Sequence, residues 1–317
     1  MSDEETFVGL DVGRMIRGAL VTSEGRVLSE HRIVSEITDR RVFIDQLASV
    51  INQLSQGSGA NAAGVGWAGM VNYSQQRVAA NTNLLDVSPF DLRAELERST
   101  GLPIVLDNDA NVAAYAEWQC GAARGASNVL FITMGTGIGA GIILGSQLQR
   151  GACGFAGEFG HIRVEPDGLE CACGSTGCLE TLASGPNIVR RVREKLFSDP
   201  GFSVSQLASD MEGTLTAQRV FQAAMENDDL AVSVLDETGQ ILGSAVASVI
   251  NLLNVEVVVI GGGLMAAGNF ILQPLQEQVR RSAVGVAYEC CRIVAAQLGQ
   301  SAGMIGAALM ARDGRQT

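Results

Sequence analysis

Charge is scarce in this chain, and what there is leans to one sign. Only 18% of the 317 residues are charged, 22 basic against 34 acidic, for a net charge of −12. A nucleic-acid surface needs a basic face that displaces counterions, so this balance argues against a nucleic-acid partner. It does not argue against a nucleotide held in a local pocket. The opening residues, MSDEETFVGLDVG, lack the basic then apolar pattern of an export signal, and secretion is not expected. An uninterrupted membrane span is also missing. The most apolar window, 241–260, contains Ser244, Ser248, Asn251, Asn254 and Glu256 and turns β-rich near Val255. It reads as a buried helix followed by a core strand. Seven cysteines at this length make no disulfide framework, which fits a reducing cytoplasm.

Histidine is rarer still, with two in the chain, and one of them sits in the most informative stretch. Between Gly154 and Glu180, His161, Cys171, Cys173 and Cys178 fall within eighteen residues. One imidazole and three thiolates suit a tetrahedral Zn²⁺ site. The C-x-C-x₄-C spacing is not that of common zinc fingers, so the expectation rests on the cluster together with the histidine. Glu158 and Glu180 flank it, and glycines at 168, 174 and 177 allow a tight wrap.

The remaining pattern is α/β. A strand at Phe7–Asp11 turns at Gly13 and returns through Ala19–Val21. Val129–Met134 turns through Gly135-Thr136-Gly137 and returns through Ile142–Leu144, about 120 residues on. This weak repeat suggests a duplicated domain. Arg41–Gln56 has one apolar helical face, residues 72–83 read as a polar loop, and a helix is expected over Val204–Met211. Asp107-Asn108-Asp109 closes a buried strand before a helix, a position where α/β sheets place ligands. Asp109 there is either a general base or a helix cap. A boundary is expected near Gly121–Gly125, and a β-branched strand at Val255–Ile260 runs into Gly261-Gly262-Gly263.

GEFGHIRV followed by CACGSTGCLE, together with DNDANVAA, resembles the ROK family of bacterial sugar kinases, repressors and related reading frames. The resemblance runs from Asp11 to the glycines at 261–263 and is greatest to the glucokinases. It implies a duplicated actin-like ATPase (ribonuclease H-like) fold, two lobes with a cleft between them. The lobes would be 1–122, with the last helix 302–312 packing back on it, and 123–301. It implies ATP-dependent phosphorylation of a hexose, glucose to glucose 6-phosphate, with Asp109 as general base. Asn108, Glu158, His161 and Glu180 carry over as sugar contacts, and Gly69 and Asn83 align more loosely. Gly135, Thr136 and Gly137 would meet the phosphates, Gly261, Gly262 and Gly263 the adenosine, and Asp11 the Mg²⁺. The zinc would be structural, and family members often form homodimers. Another hexose or N-acetylhexosamine, polyphosphate as donor, or a non-catalytic sugar-binding protein stay open. A repressor would need an N-terminal DNA-binding module, for which a first strand at Phe7 leaves no room.

One segment departs from the family. Its first phosphate loop reads Asp-x-Gly-Gly-Thr-Lys, and this chain has Asp11-Val12-Gly13-Arg14-Met15-Ile16. A hydroxyl and a lysine are lost, and a bulky side chain is expected in a tight turn. Either Gly13 and Arg14 still serve the phosphate, Arg14 through its guanidinium, or the loop binds ATP poorly.

Overall fold

The structure, a computed structural model, describes residues 4–37, 39–80, 90–202, 205–210 and 215–314. By internal contacts the chain divides into two compact units, 1–131 with 141–157 and 296–317, and 132–140 with 158–295. The first half contains β1 (Thr6–Val12), β2 (Met15–Thr22), β3 (Val27–Val34), α1 (Arg40–Ser55), β4 (Ala63–Trp67), β5 (Met70–Asn72), β6 (Arg77–Ala80), α2 (Leu92–Thr100), β7 (Ile104–Asn108) and α3 (Asp109–Gln119). Then come β8 (Val129–Met134), β9 (Ile138–Leu144), β10 (Gln147–Leu148), α4 (Glu180–Ala183), α5 (Gly185–Ser198), α6 (Ala217–Met225) and α7 (Asp229–Leu253). β11 (Val257–Gly261), α8 (Asn269–Ser282), α9 (Gly285–Glu289), β12 (Arg292–Ala295) and α10 (Ala302–Gly314) complete the order.

Two five-stranded sheets have matching orders, β3-β2-β1-β4-β7 and β10-β9-β8-β11-β12. In each, a three-strand meander is followed by two further strands beyond its first strand. The strand–turn–strand repeat seen in the sequence is therefore a repeat of topology. In the first sheet β1 pairs antiparallel with β2 and parallel with β4, and β4 pairs parallel with β7. The parallel strands are covered on both faces, which explains their nearly unbroken apolar runs. On one face Phe43, Leu47, Leu92 and Leu96 pack with Val8, Leu10, Trp67 and Leu106. On the other, α10 lays Met304, Ala308 and Ala311 against Phe7, Ala19 and Val21. Register then does the positioning. Asp11 lies level with Gly66, and Gly66 with Asp107. Two carboxylates thus stand at the carboxyl end of the sheet, two strand spacings or about 10 Å apart.

Two local expectations are corrected. Residues 72–80 are not wholly loop, because β5 and β6 form an antiparallel hairpin. Its polar residues are the turn's own caps: Asn72 Oδ1 accepts from Gln75 N at 3.1 Å and from Ser74 Oγ at 2.9 Å. The helix expected near 204–211 is a short 3₁₀ segment, Gln206–Asp210, among the described residues. Ser205 Oγ and Gln206 N bind the Asp228 carboxylate there, which leads the backbone into a turn. No helix among the described residues is long and apolar enough to cross a membrane.

Candidate active site

In the first unit the site grows from the end of β7. Asn108 is the cap of α3: its Oδ1 accepts from Ala110 N at 2.9 Å and Asn111 N at 3.2 Å. The capping role that the sequence offered to Asp109 therefore falls to its neighbour. The Asn108 amide also donates from Nδ2 to Gly69 O at 3.1 Å and to Asp109 Oδ1 at 2.9 Å. Asp109 occupies the first turn of α3, half-buried, where the helix dipole favours a carboxylate. Gly69, Asn108 and Asp109 are thus brought together. Asn83, the other loosely aligned residue, lies outside the described residues.

Asp107 was not singled out by its sequence as a site residue, yet it is the anchor of this corner. It is 1% exposed. Its Oδ1 accepts from Asn108 N and from Asn111 Nδ2, and its Oδ2 from Arg150 Nε at 2.7 Å. Nothing in the sequence marks Arg150 as its partner, forty-three residues away. A buried carboxylate at a strand end does require a cation, and that is the only signal available.

Asp11 sits at the end of the first strand with its side chain a quarter exposed and Arg17 Nη1 4.0 Å away. Burial pushes its carboxyl above the ordinary range, and the Arg17 guanidinium opposes this. Around the altered loop, Gly13 N donates to Met15 O, and Ser35 closes on Gly13 O and Arg14 O. Arg14 and Met15 are exposed while Ile16 is fully buried. The expected crowding by Arg14 does not arise, because its side chain leaves the turn on the solvent side. Ile16, in the family lysine's place, belongs to the core.

In the second unit the cysteine cluster closes on itself. Cys171 Sγ lies 3.6 Å from His161 Nδ1 and Cys173 Sγ lies 3.7 Å from Cys178 Sγ. All four donor atoms fall within 4.8 Å of one another. Zn–S near 2.3 Å and Zn–N near 2.0 Å in a tetrahedron require separations of about 3.5–3.8 Å, so the donor set fits zinc. With Nδ1 facing the thiols, His161 Nε2 points toward Glu158, 3.8 Å from Oε2. Burial raises the Glu158 carboxyl above its ordinary range, His161 lowers it, and nearby Glu180 raises it further. Glu158, His161 and Glu180 therefore form one group.

The glycine turns of this unit also meet. Gly135 N donates to Gly137 O, and Gly135 O accepts from Gly185 N at the start of α5. Gly262 has φ +87, and a Cβ there would lie 2.3 Å from Met134 O. Only glycine lets the turn after β11 press against the residue preceding Gly135. Glu180 Oε2 accepts from Ile138 N at 2.8 Å, on the far side of the same turn. These bonds fix the shape of the turn and engage the N–H groups of Gly135, Ile138 and Gly185 within the protein.

The sequence profile described as the ROK family matches residues 7–314. A glucokinase of Streptomyces coelicolor is 37% identical over 311 residues, covering 96% of this chain and 97% of its own. The crystal structure of a ROK family glucokinase from Streptomyces griseus, in complex with glucose and AMPPNP, superposes with a TM-score of 0.86 at 36% identity. It covers 97% of this chain and 99% of that one. A ROK family transcriptional regulator, a homologue of the E. coli MLC protein, superposes at 0.88 with 30% identity, over 98% of this chain and 78% of the regulator. These likenesses establish the duplicated, two-lobe α/β fold of the actin-like ATPases expected for the chain.

Proposed function

The chain belongs to the ROK family and is a sugar kinase, and we propose that it transfers the γ-phosphoryl group of ATP to the 6-hydroxyl of glucose. The Asp109 carboxylate carries this reading. It stands half-buried at the end of a parallel strand, oriented by Asn108 and by the first turn of α3. In the reaction the hydroxyl oxygen bonds to the γ-phosphorus, the bond to the bridging β–γ oxygen breaks, and ADP leaves. The hydroxyl proton passes to Asp109.

The sugar would lie against Asn108, Gly69, Glu158, His161 and Glu180, with Asn83 as a further contact. Gly13, Arg14, Gly135, Thr136 and Gly137 would meet the phosphates, and Gly261, Gly262 and Gly263 the adenosine. Asp11 would hold Mg²⁺, which offsets the phosphate charge. His161, Cys171, Cys173 and Cys178 would hold a structural Zn²⁺ that fixes the loop and the imidazole tautomer. The Streptomyces coelicolor relative is a glucokinase, and the Streptomyces griseus one was solved with glucose and an ATP analogue, which supports this choice of substrates. A cytoplasmic homodimer without nucleic-acid or membrane partners completes the reading, on the family resemblance and the acidic composition.

The test is Asp109→Asn. General-base loss should lower kcat by about 10²–10⁴-fold, while calorimetry still registers glucose binding. Near-normal turnover would contradict the base assignment.

A further inference from the structure

The β5–β6 hairpin is fastened at three points, two of them to the end of β7. Gln76 acts as a strand partner: its Oε1 accepts from Leu106 N at 2.7 Å and its Nε2 donates to Leu106 O at 3.2 Å. Gln76 adopts φ +52, unusual for a side-chain-bearing residue, and this two-way clasp holds it there. Gly154 presses flat on the hairpin, where a Cβ would lie 2.6 Å from Val71 O and 2.9 Å from Tyr73 N.

The third fastening is Arg150. Its Nε reaches Asp107 Oδ2 at 2.7 Å, and its guanidinium carbon lies 3.6 Å from the centroid of the Tyr73 ring. A planar cation can satisfy both partners at once, where an ammonium would choose one. On its other oxygen Asp107 binds Asn108 N and Asn111 Nδ2. Asn108 in turn binds Asp109. An unbroken chain of contacts therefore joins the Tyr73 ring to the proposed base.

We propose that Arg150 and Tyr73 form a positioning pair for phosphoryl transfer. The pair sets the β5–β6 hairpin and the Asn108–Asp109 corner in one geometry. It touches neither sugar nor nucleotide, and it acts through Asp107 and Asn108. The proposal rests on the reading of Asp109 as base, so the experiment must separate the two.

The experiment measures steady-state turnover of glucose with Mg-ATP for Arg150→Lys, Tyr73→Leu, the double variant and Asp109→Asn. Arg150→Lys keeps a charge beside Asp107 and loses the stack. Tyr73→Leu keeps the ion pair, so at least one variant retains the buried charge balance. A displacement near 1 Å can lower rates about 10²-fold. Each single variant should therefore lose about ten- to a hundredfold in kcat/KM for the sugar, with KM for Mg-ATP within about twofold of the parent. Zinc content should be unchanged, and the double variant should be no worse than the poorer single, because the two act as a unit. If the variants lose thermal stability but keep the parent's kcat and both KM values, the pair is structural and the proposal is overturned. Inactive Asp109→Asn beside unaffected pair variants would sink the positioning role alone. Active Asp109→Asn would sink the base reading, and the positioning role with it.

Discussion

Glu180 Oε2 accepts a 2.8 Å hydrogen bond from Ile138 N, the amide that follows the Gly135-Thr136-Gly137 turn. A residue that family resemblance places on the sugar therefore also shapes the turn expected to meet the phosphates. A Cβ at Gly137 would lie 2.5 Å from the same oxygen.

Glu180→Ala and Gly137→Ala should consequently weaken nucleotide handling as well as sugar handling. A hydrogen bond to a charged group is worth about 1.5–3 kcal/mol, and tenfold in affinity is about 1.4 kcal/mol. KM for Mg-ATP should rise about tenfold or more in both variants. Glu180→Gln keeps an acceptor for Ile138 N and should change the sugar KM more than the nucleotide KM. An unaltered nucleotide KM in Glu180→Ala would separate the two functions.

The cysteine cluster predicts about one zinc per chain by metal analysis. Cys173→Ser should lose the metal, lower the melting temperature and raise the hexose KM, since His161 is proposed both as a ligand and as a sugar contact. Unmutated protein without zinc would contradict the assignment.

Asp11 gives a pH-dependent signature. Its folded-state pKa is raised, chiefly by burial. A carboxyl of this kind contributes stability that is complete below the unfolded value, about 3.9, and is lost as pH rises through the folded value. At neutral pH, well above the unfolded value, this buried carboxyl therefore works against the fold. Asp11→Asn should melt higher than the parent at pH 7 while losing turnover, and the gap should narrow as pH falls into the carboxylate range. A lower melting temperature at pH 7 would contradict this sign.

Ile16 argues against repairing the loop by restoring the family's lysine. The side chain is fully buried in the same core cluster as Leu10, Leu20 and Phe43, on the face of the first sheet that α1 and α2 cover. A buried ammonium without a partner costs roughly several kcal/mol. Ile16→Lys should lower the urea midpoint without raising kcat. A gain in turnover would show that the strand can turn its face.

These particulars mark how far the sequence could be read. The clustering of His161 with Cys171, Cys173 and Cys178 was legible because thiolate and imidazole chemistry is local and has few other uses. The repeated strand–turn–strand was legible because glycine and β-branched residues encode it directly. The division of labour between Asn108 and Asp109 was not, since either residue caps a helix equally well. The Asp107–Arg150–Tyr73 chain was invisible, because it joins residues from three separate segments that only the fold brings together. The fate of Ile16 depended on strand register, which shifts every side chain to the opposite face when it slips by one.

The most direct measurement is ADP release from Mg-ATP by the unmutated protein against a panel of hexoses and N-acetylhexosamines, glucose first. The account predicts turnover selective for glucose, with the Asp11–Ile16 loop handling phosphate as it stands. Glucose that binds by calorimetry but is not phosphorylated, with no turnover on any other sugar, would contradict it.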